Sequence, residues 1–449
     1  MNTICEKGMK RAFLFFIALA FAACGPASFE NKEEYPQIRP DYIGVTIPEG
    51  MAPLCFELRD GRNFKKTVER RGDTLFVAVS AWKKGAKWGT RYKPFPIYIS
   101  KDPIDPYIAY RLIEPNYESW HDMGIYCREL SSFKEKAVVT NKANGGGCVN
   151  CHNFPGGDPS RMMFHARGKG GGTVFVDNGN IHLLNLATVG PGRQGTYPAW
   201  HPSGRYIAYS SNTTRQAFPI AGSQPVEVYD LESDMILIDL SCDSVRLVPG
   251  LCGKERMETF PAWSPDGDVL YYCSAPAVDD VVKERGNIHY ELQAMDFRDG
   301  DFSGNPRTIW ASDTLSASFP RVNGKWMLFT ASAYGTFPIW HKEADLMLMN
   351  LEDGSLRPAE ELNSNDTESY HSWSSNGRWV VFSSRRQDGR YTRLFIAHFD
   401  VEGHFGKPFL LPQKKVSHND LRLFSYNIPE FVKGDPGSLQ KQTAKLFAR

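Results

Sequence analysis

The sequence predicts an all-β chain: a β-sandwich-like N-terminal domain, a short Gly-rich segment carrying Cys-x-x-Cys-His, then a propeller of five blades, or six if one is divergent. Two observations support this. A strand–turn–strand unit recurs at intervals of about 50–60 residues after residue 170, the spacing of propeller blades or a β-solenoid. Before residue 140, short apolar runs alternate with Pro- and Gly-bearing turns, which is strand patterning without a repeat.

From the N-terminus, Lys7, Lys10 and Arg11 form a basic patch ahead of the apolar run Ala12 to Ala23. The run is too short to span a bilayer and suits the core of an export signal. It ends in Phe21-Ala22-Ala23-Cys24, which resembles the lipobox of bacterial lipoproteins, with Phe21 where Leu is usual. That resemblance implies a signal peptide over 1–23 and a lipid on Cys24, with simple cleavage after Ala23 as the alternative. Residues 24–40 read as a tether. Over 41–140, Tyr42–Ile47, Thr74–Val79 and Pro96–Ser100 read as strands, and the dense aromatics (Trp82, Trp88, Tyr92, Phe95, Tyr98, Tyr107, Tyr110, Tyr117, Trp120) as packing. Residues 433–449 form a tail.

Residues 141–169 hold the chemistry. Cys148-Val149-Asn150-Cys151-His152 has the spacing in which two thiols form thioethers to the vinyl groups of one haem and the next imidazole binds its iron. Gly145-Gly146-Gly147 before it would let the backbone approach a flat macrocycle. No second Cys-x-x-Cys exists to complete a zinc site, and no βαβ context surrounds the pair as in a thioredoxin. Covalent haem is attached outside the cytoplasm, in agreement with the leader. The sixth iron ligand is expected from Met162-Met163-Phe164-His165, a stretch compatible with a helix: His165, or else Met163 or Met162, with His121 and Met123 as remoter candidates. Arg167 and Lys169 are candidates to neutralise the haem propionates.

The repeat begins with Tyr197-Pro198-Ala199-Trp200-His201-Pro202-Ser203-Gly204 and recurs as Phe260-Pro261-Ala262-Trp263-Ser264-Pro265-Asp266-Gly267. Weaker copies start at Phe319 and Tyr370, and each unit turns on Pro-Ser-Gly, Pro-Asp-Gly or Asn-Gly into an apolar strand. Over 170–432 this resembles TolB-type propellers, a likeness that implies fold more than function. Gly172–Val176 with Ile181–Leu186 looks like a blade lacking its leading strand, and Tyr426–Phe431 like an orphan leading strand. Pairing the two ends would close the ring and remove exposed edges.

Fifty-two basic and 51 acidic residues give +1, and about −1 without the leader, which offers no basic surface for nucleic acid. Beyond Cys5, Cys24 and the motif, Cys55, Cys127, Cys242, Cys252 and Cys273 form an odd set; Cys242 and Cys252 are near enough in sequence to join neighbouring strands. There is no Gly-x-Ser-x-Gly element, Gly168–Thr173 lacks P-loop spacing, and His201 and His371 sit at variable blade positions. The whole resembles propeller lipoproteins that carry one haem c. The resulting expectation is an exported, lipid-anchored, single-haem c-type cytochrome on the periplasmic side of the envelope, the outer membrane favoured. It would pass electrons to a redox partner or meet another envelope protein through its propeller. Two alternatives stand beside it: a TolB-like scaffold in which haem is structural, and a haem enzyme with an open distal site.

Overall fold

The computed structural model describes residues 26, 28–115, 121–168, 171–184, 189–192, 195–220 and 224–448. The leader with Cys5 and Cys24, and Tyr117, Trp120 and Lys169, lie outside the described residues. Six four-stranded antiparallel sheets form the ring. From the axis outward, blade 1 is Ser425–Val432, Tyr107–Ile113, Gly124–Glu129 and Glu135–Thr140, so the last strand of the chain closes the ring on one of its early strands. Blade 2 is Val149–Asn153, Arg161–Ala166, Gly172–Asp177 and Asn180–Leu184. Blades 3 to 6 begin at Thr196, Arg256, Ser316 and Glu368 and end at Leu247, Trp310, Pro358 and Leu410.

Six blades replace the favoured five, because two blades lack the repeat's signature. Blade 1 is split across the chain, and residues 107–140, grouped by sequence with the N-terminal domain, supply three of its strands. The closing strand therefore pairs with Tyr107–Ile113 and not with Gly172–Val176. The leading strand that Gly172–Leu184 needed is the Cys-x-x-Cys-His segment itself. Residues 141–169 are thus no joint between domains, and Arg161–Ala166 is a strand rather than a helix.

One local device recurs in every blade. The innermost strand carries one extra residue against its neighbour, a β-bulge placed between Asn150 and Asn153, Thr196 and Ala199, Thr259 and Ala262, Ser318 and Arg321, Ser369 and Ser372, and Asn427 and Glu430. In each, the first bulge residue takes positive φ: Cys151, Tyr197, Phe260, Phe319, Tyr370 and Ile428. The residue facing the bulge is always a buried aromatic: Phe164, Tyr209, Tyr272, Phe329, Phe382 or Tyr110. The Trp of the repeat has a role between blades, since Trp263 Nε1 donates to Ala199 O and Trp373 Nε1 to Arg321 O, each at 3.1 Å in the preceding blade. The turn glycines meet the preceding blade as well: Asn323 Nδ2 donates to Gly377 O at 2.9 Å, and a Cβ at Gly377 would collide with Asn323.

Ahead of the ring lies one mixed sheet of six strands, Ser28–Lys32, Trp88–Tyr92, Thr74–Trp82, Phe95–Ser100 and Thr46–Pro48 in order, with Asn63–Arg71 beside Thr74–Trp82. Its second layer is the propeller. Tyr42, Val77 and Phe95 share a core with Trp379, Ile396 and Phe409 of blade 6 and with Tyr110 and Tyr426 of blade 1. The sheet thus buttresses the seam where the ring closes. The tail contains a helix, Gln440–Phe447, and Gln440 Oε1 accepts from the Thr140 N–H at 2.7 Å. Among the described residues no helix is long and apolar enough to cross a membrane.

Candidate functional site

The bulge residues meet at the axis and plug it. Tyr197, Phe260, Phe319 and Tyr370 pack in succession around the ring, tilted or edge-on, with centroids 4.3, 4.1 and 4.9 Å apart in turn. Cys151 takes the same place in blade 2, and Ile428 in blade 1. On this plug stands a cavity enclosing about 1180 Å³ with its mouth included, and Cys151, Tyr197, Tyr370 and Ile428 line it. Cys148 also lines it, so both thiols of the motif open on one space.

The walls are unequal. Arg111 of blade 1, Arg167 at the end of the second strand of blade 2, and Arg385 and Arg390 of blade 6 form a basic arc. Among the described residues, Glu114 is the only carboxylate that lines the cavity. Facing the arc are Phe218, Val226 and Val228 from the long central hairpin of blade 3, and Phe337, Ile339 and Trp340 after the second strand of blade 5. Burial is the main influence on the Cys148 thiol and raises its pKa, while Arg111 and Arg167 pull it back.

His152 sits differently. It occupies the second bulge position, where blades 1, 3, 4 and 5 have Pro and blade 6 has His371. Its ring lies in the seam toward blade 1, centred 6.4 Å from Phe154 and influenced by Arg111, and it does not line the cavity. His371 Nε2 shares a hydrogen bond with Leu328 O at 2.8 Å across its seam, and His152, equally buried, faces the Ile428 backbone of blade 1. Burial first, and Arg111 second, press its pKa down to about 3 against a backbone hydrogen bond with Ile428 that raises it, so the imidazole is neutral. Two thiols and an adjacent neutral imidazole are the donor chemistry that suits haem c.

The proposed sixth ligands are not brought to this cavity. His165 lies opposite Asn150 in the sheet with Nδ1 3.3 Å from Thr173 Oγ1. Met163 packs with Phe175, Trp200 and Tyr209 between blades 2 and 3, and Met162 packs on the other face with Phe154 and Val174. Met123 is buried, its sulfur accepting from the Val149 N–H at 3.2 Å, and His121 is exposed. None of the five lines the cavity. Alternation explains this: on a strand Met162 and Met163 must face opposite ways, and both faces of a blade are core.

Cys127, Cys148, Cys151, Cys242, Cys252 and Cys273 are free thiols, so Cys242 and Cys252 are not joined. Among these residues no three His, Cys, Asp or Glu side chains cluster as a metal site. Gly147 is needed for a reason the sequence did not show, because a Cβ there would lie 1.8 Å from Arg167 O on the neighbouring strand. Sequence reasoning missed Arg111, Arg385 and Arg390. The aromatic at the fourth residue of each second strand would have aligned Tyr110, and with it Arg111, to the repeat.

No protein-family model matches the chain, and no curated protein matches it. Among solved structures it is similar to TolB from Acinetobacter baumannii, with 13% identity and a TM-score of 0.46 over 82% of this chain and 83% of that one. It is also similar to an oligogalacturonate lyase in complex with manganese (15%, TM-score 0.39, 66% of this chain and 71% of that one). A third is the β-propeller domain of the Trilobed protease from Pyrococcus furiosus (7%, TM-score 0.35, 79% and 99%). These are likenesses of fold at low identity, and they say nothing of the cavity's chemistry.

Proposed function

We propose that this chain is an exported haemoprotein whose propeller holds one covalent haem c at its central cavity and serves electron transfer. The observation that carries the reading is that Cys148 and Cys151 open together on one cavity, with the neutral His152 imidazole adjacent in sequence. Cys148 and Cys151 would form the thioethers and His152 would bind the iron, its ring turning out of the seam beside the Cys151 bulge. When bound, the group would supply a one-electron iron couple. The chain's own contributions follow from the site. The aromatic plug bars water from the axis, Arg167 and Arg111 place positive charge beside Cys148, and the closed ring fixes both. The leader and Cys24 support export and a lipid anchor on the periplasmic side, with the outer membrane favoured and a redox partner met through the propeller.

One observation favours a second reading, a haem protein with an open sixth position: His165, Met162 and Met163 are all held inside blade 2, away from the cavity. The test is the reduced spectrum, with and without carbon monoxide, of protein produced with a c-type haem assembly system. A pyridine haemochrome of the c type with no response to carbon monoxide supports the electron carrier, and a strong response supports the open site. A colourless product sinks both.

A further inference from the structure

Among the described residues, four arginines and one carboxylate line the cavity, and the Nε atoms of Arg111, Arg167 and Arg385 are buried with no hydrogen-bond partner, as is Asn150 Oδ1. Folded proteins rarely leave buried donors unpaired, and several on one wall mark a place where an acceptor is missing. Arg385 is 4% exposed and sits 4.1 Å over the Trp340 ring, with Asp366 no closer than 3.5 Å. That stacking holds the guanidinium at the rim of an apolar wall, while Arg390 stands exposed at the mouth. Guanidinium groups bind carboxylates through paired N–H donors, and more strongly where water is excluded.

We propose that the arc formed by Arg385, Arg390, Arg111 and Arg167 is a receptor for an organic carboxylate carried on an apolar body. The charged arc binds the carboxylates and the opposed Phe337, Ile339 and Val228 wall takes the apolar part. A bare inorganic anion would leave that wall wet, and a neutral apolar ligand would leave the guanidinium donors unpaired. Two sources carry this chemistry: the propionates of a haem held as proposed above, or a diffusible anion. The charge preference itself does not depend on the haem reading.

The test begins with haem-free protein made without an assembly system, titrated with mesoporphyrin and with its dimethyl ester, following the porphyrin Soret band. The expected result is at least about tenfold tighter binding of the diacid. Arg385→Gln should abolish the preference, and Arg390→Gln, at an exposed position, should weaken it without risk to folding. Arg205→Gln, at a surface ion pair with Asp239, should leave it intact. Equal binding of diacid and ester, or a preference that survives loss of both Arg385 and Arg390, overturns the proposal. The source is read by titrating benzene-1,3-dicarboxylate into haem-free and haem-loaded protein. Binding lost on loading assigns the arc to propionates, binding retained assigns it to a diffusible anion, and no saturable binding to either form counts against the receptor. A chain that takes no haem fails the functional reading alone, since the porphyrin comparison is made without covalent haem.

Discussion

Replacing Glu430 by glutamine probes the seam where the ring closes. Glu430 lies on the closing strand of blade 1, and its carboxylate accepts from Asn153 Nδ2 at 3.0 Å and from the Phe154 N–H at 2.9 Å. It therefore latches the end of the chain to the strand bearing Cys148–His152. Burial is the strongest influence and lifts its pKa from 4.5 to about 7, although both hydrogen bonds and Arg321 oppose the rise. A carboxyl whose folded pKa lies above its unfolded one stabilises the fold when protonated. That contribution is complete below about pH 4.5 and is lost as pH rises through about 7. At about 1.4 kcal/mol per pH unit, the difference amounts to about 3 kcal/mol. Glutamine keeps the shape, retains an acceptor and does not ionise. Urea unfolding followed by tryptophan fluorescence, at about pH 4.5, 6 and 8, should show the wild type losing about 3 kcal/mol relative to Glu430→Gln, most of it between pH 5 and 7. Parallel curves for the two proteins would refute the idea that a buried ionisable latch closes the ring.

Trp379 is fully buried in the core shared by blade 6 and the N-terminal sheet, with Nε1 donating to Asp102 O at 3.2 Å, so Trp379→Ala should cost about 3–5 kcal/mol in urea unfolding. Gly147→Ala forces apart the first two strands of blade 2 and should cost about 1–3 kcal/mol, whereas Gly286→Ala, with open space around it, should stay within about 0.5. For buried His341, burial alone would lower the pKa, yet hydrogen bonds to Glu227 at 3.1 Å and Glu343 at 3.2 Å raise it to about 9. Its contribution to stability is complete below about pH 6.5 and is lost as pH rises through about 9; imidazole NMR shifts should stay flat from pH 6 to 8, and a midpoint near 6.5 would contradict the pairing.

The propeller was legible because its repeat is written in residues with fixed duties. Trp263 and Trp373 reach a carbonyl in the preceding blade, and Gly267 and Gly377 turn where a side chain would strike that blade. Blade 2 escaped the pattern because Cys151 and Phe154 stand where the repeat has its leading aromatic and its Trp, and no Pro-Asp-Gly or Asn-Gly turn follows. Blade 1 escaped because its four strands come from residues 107–140 and 425–432, a pairing that local pattern cannot announce. The same separation hid half the site. Cys148, Cys151 and His152 are contiguous and declare their chemistry, but Arg385 and Arg390 lie in another blade and reach the cavity only through ring closure. His165 and Met163 show the opposite case: they are near the motif in sequence, but strand geometry turns them into blade core, away from the cavity.

The measurement that bears most directly on the central claim is the intact mass, under denaturing conditions, of the chain produced with a c-type haem assembly system, followed by peptide mapping. The account predicts the mass of one haem retained per chain and located on the peptide containing Cys148 and Cys151, and no retained haem in Cys148→Ala/Cys151→Ala. A chain of haem-free mass, or a haem that acid extraction removes, would contradict it.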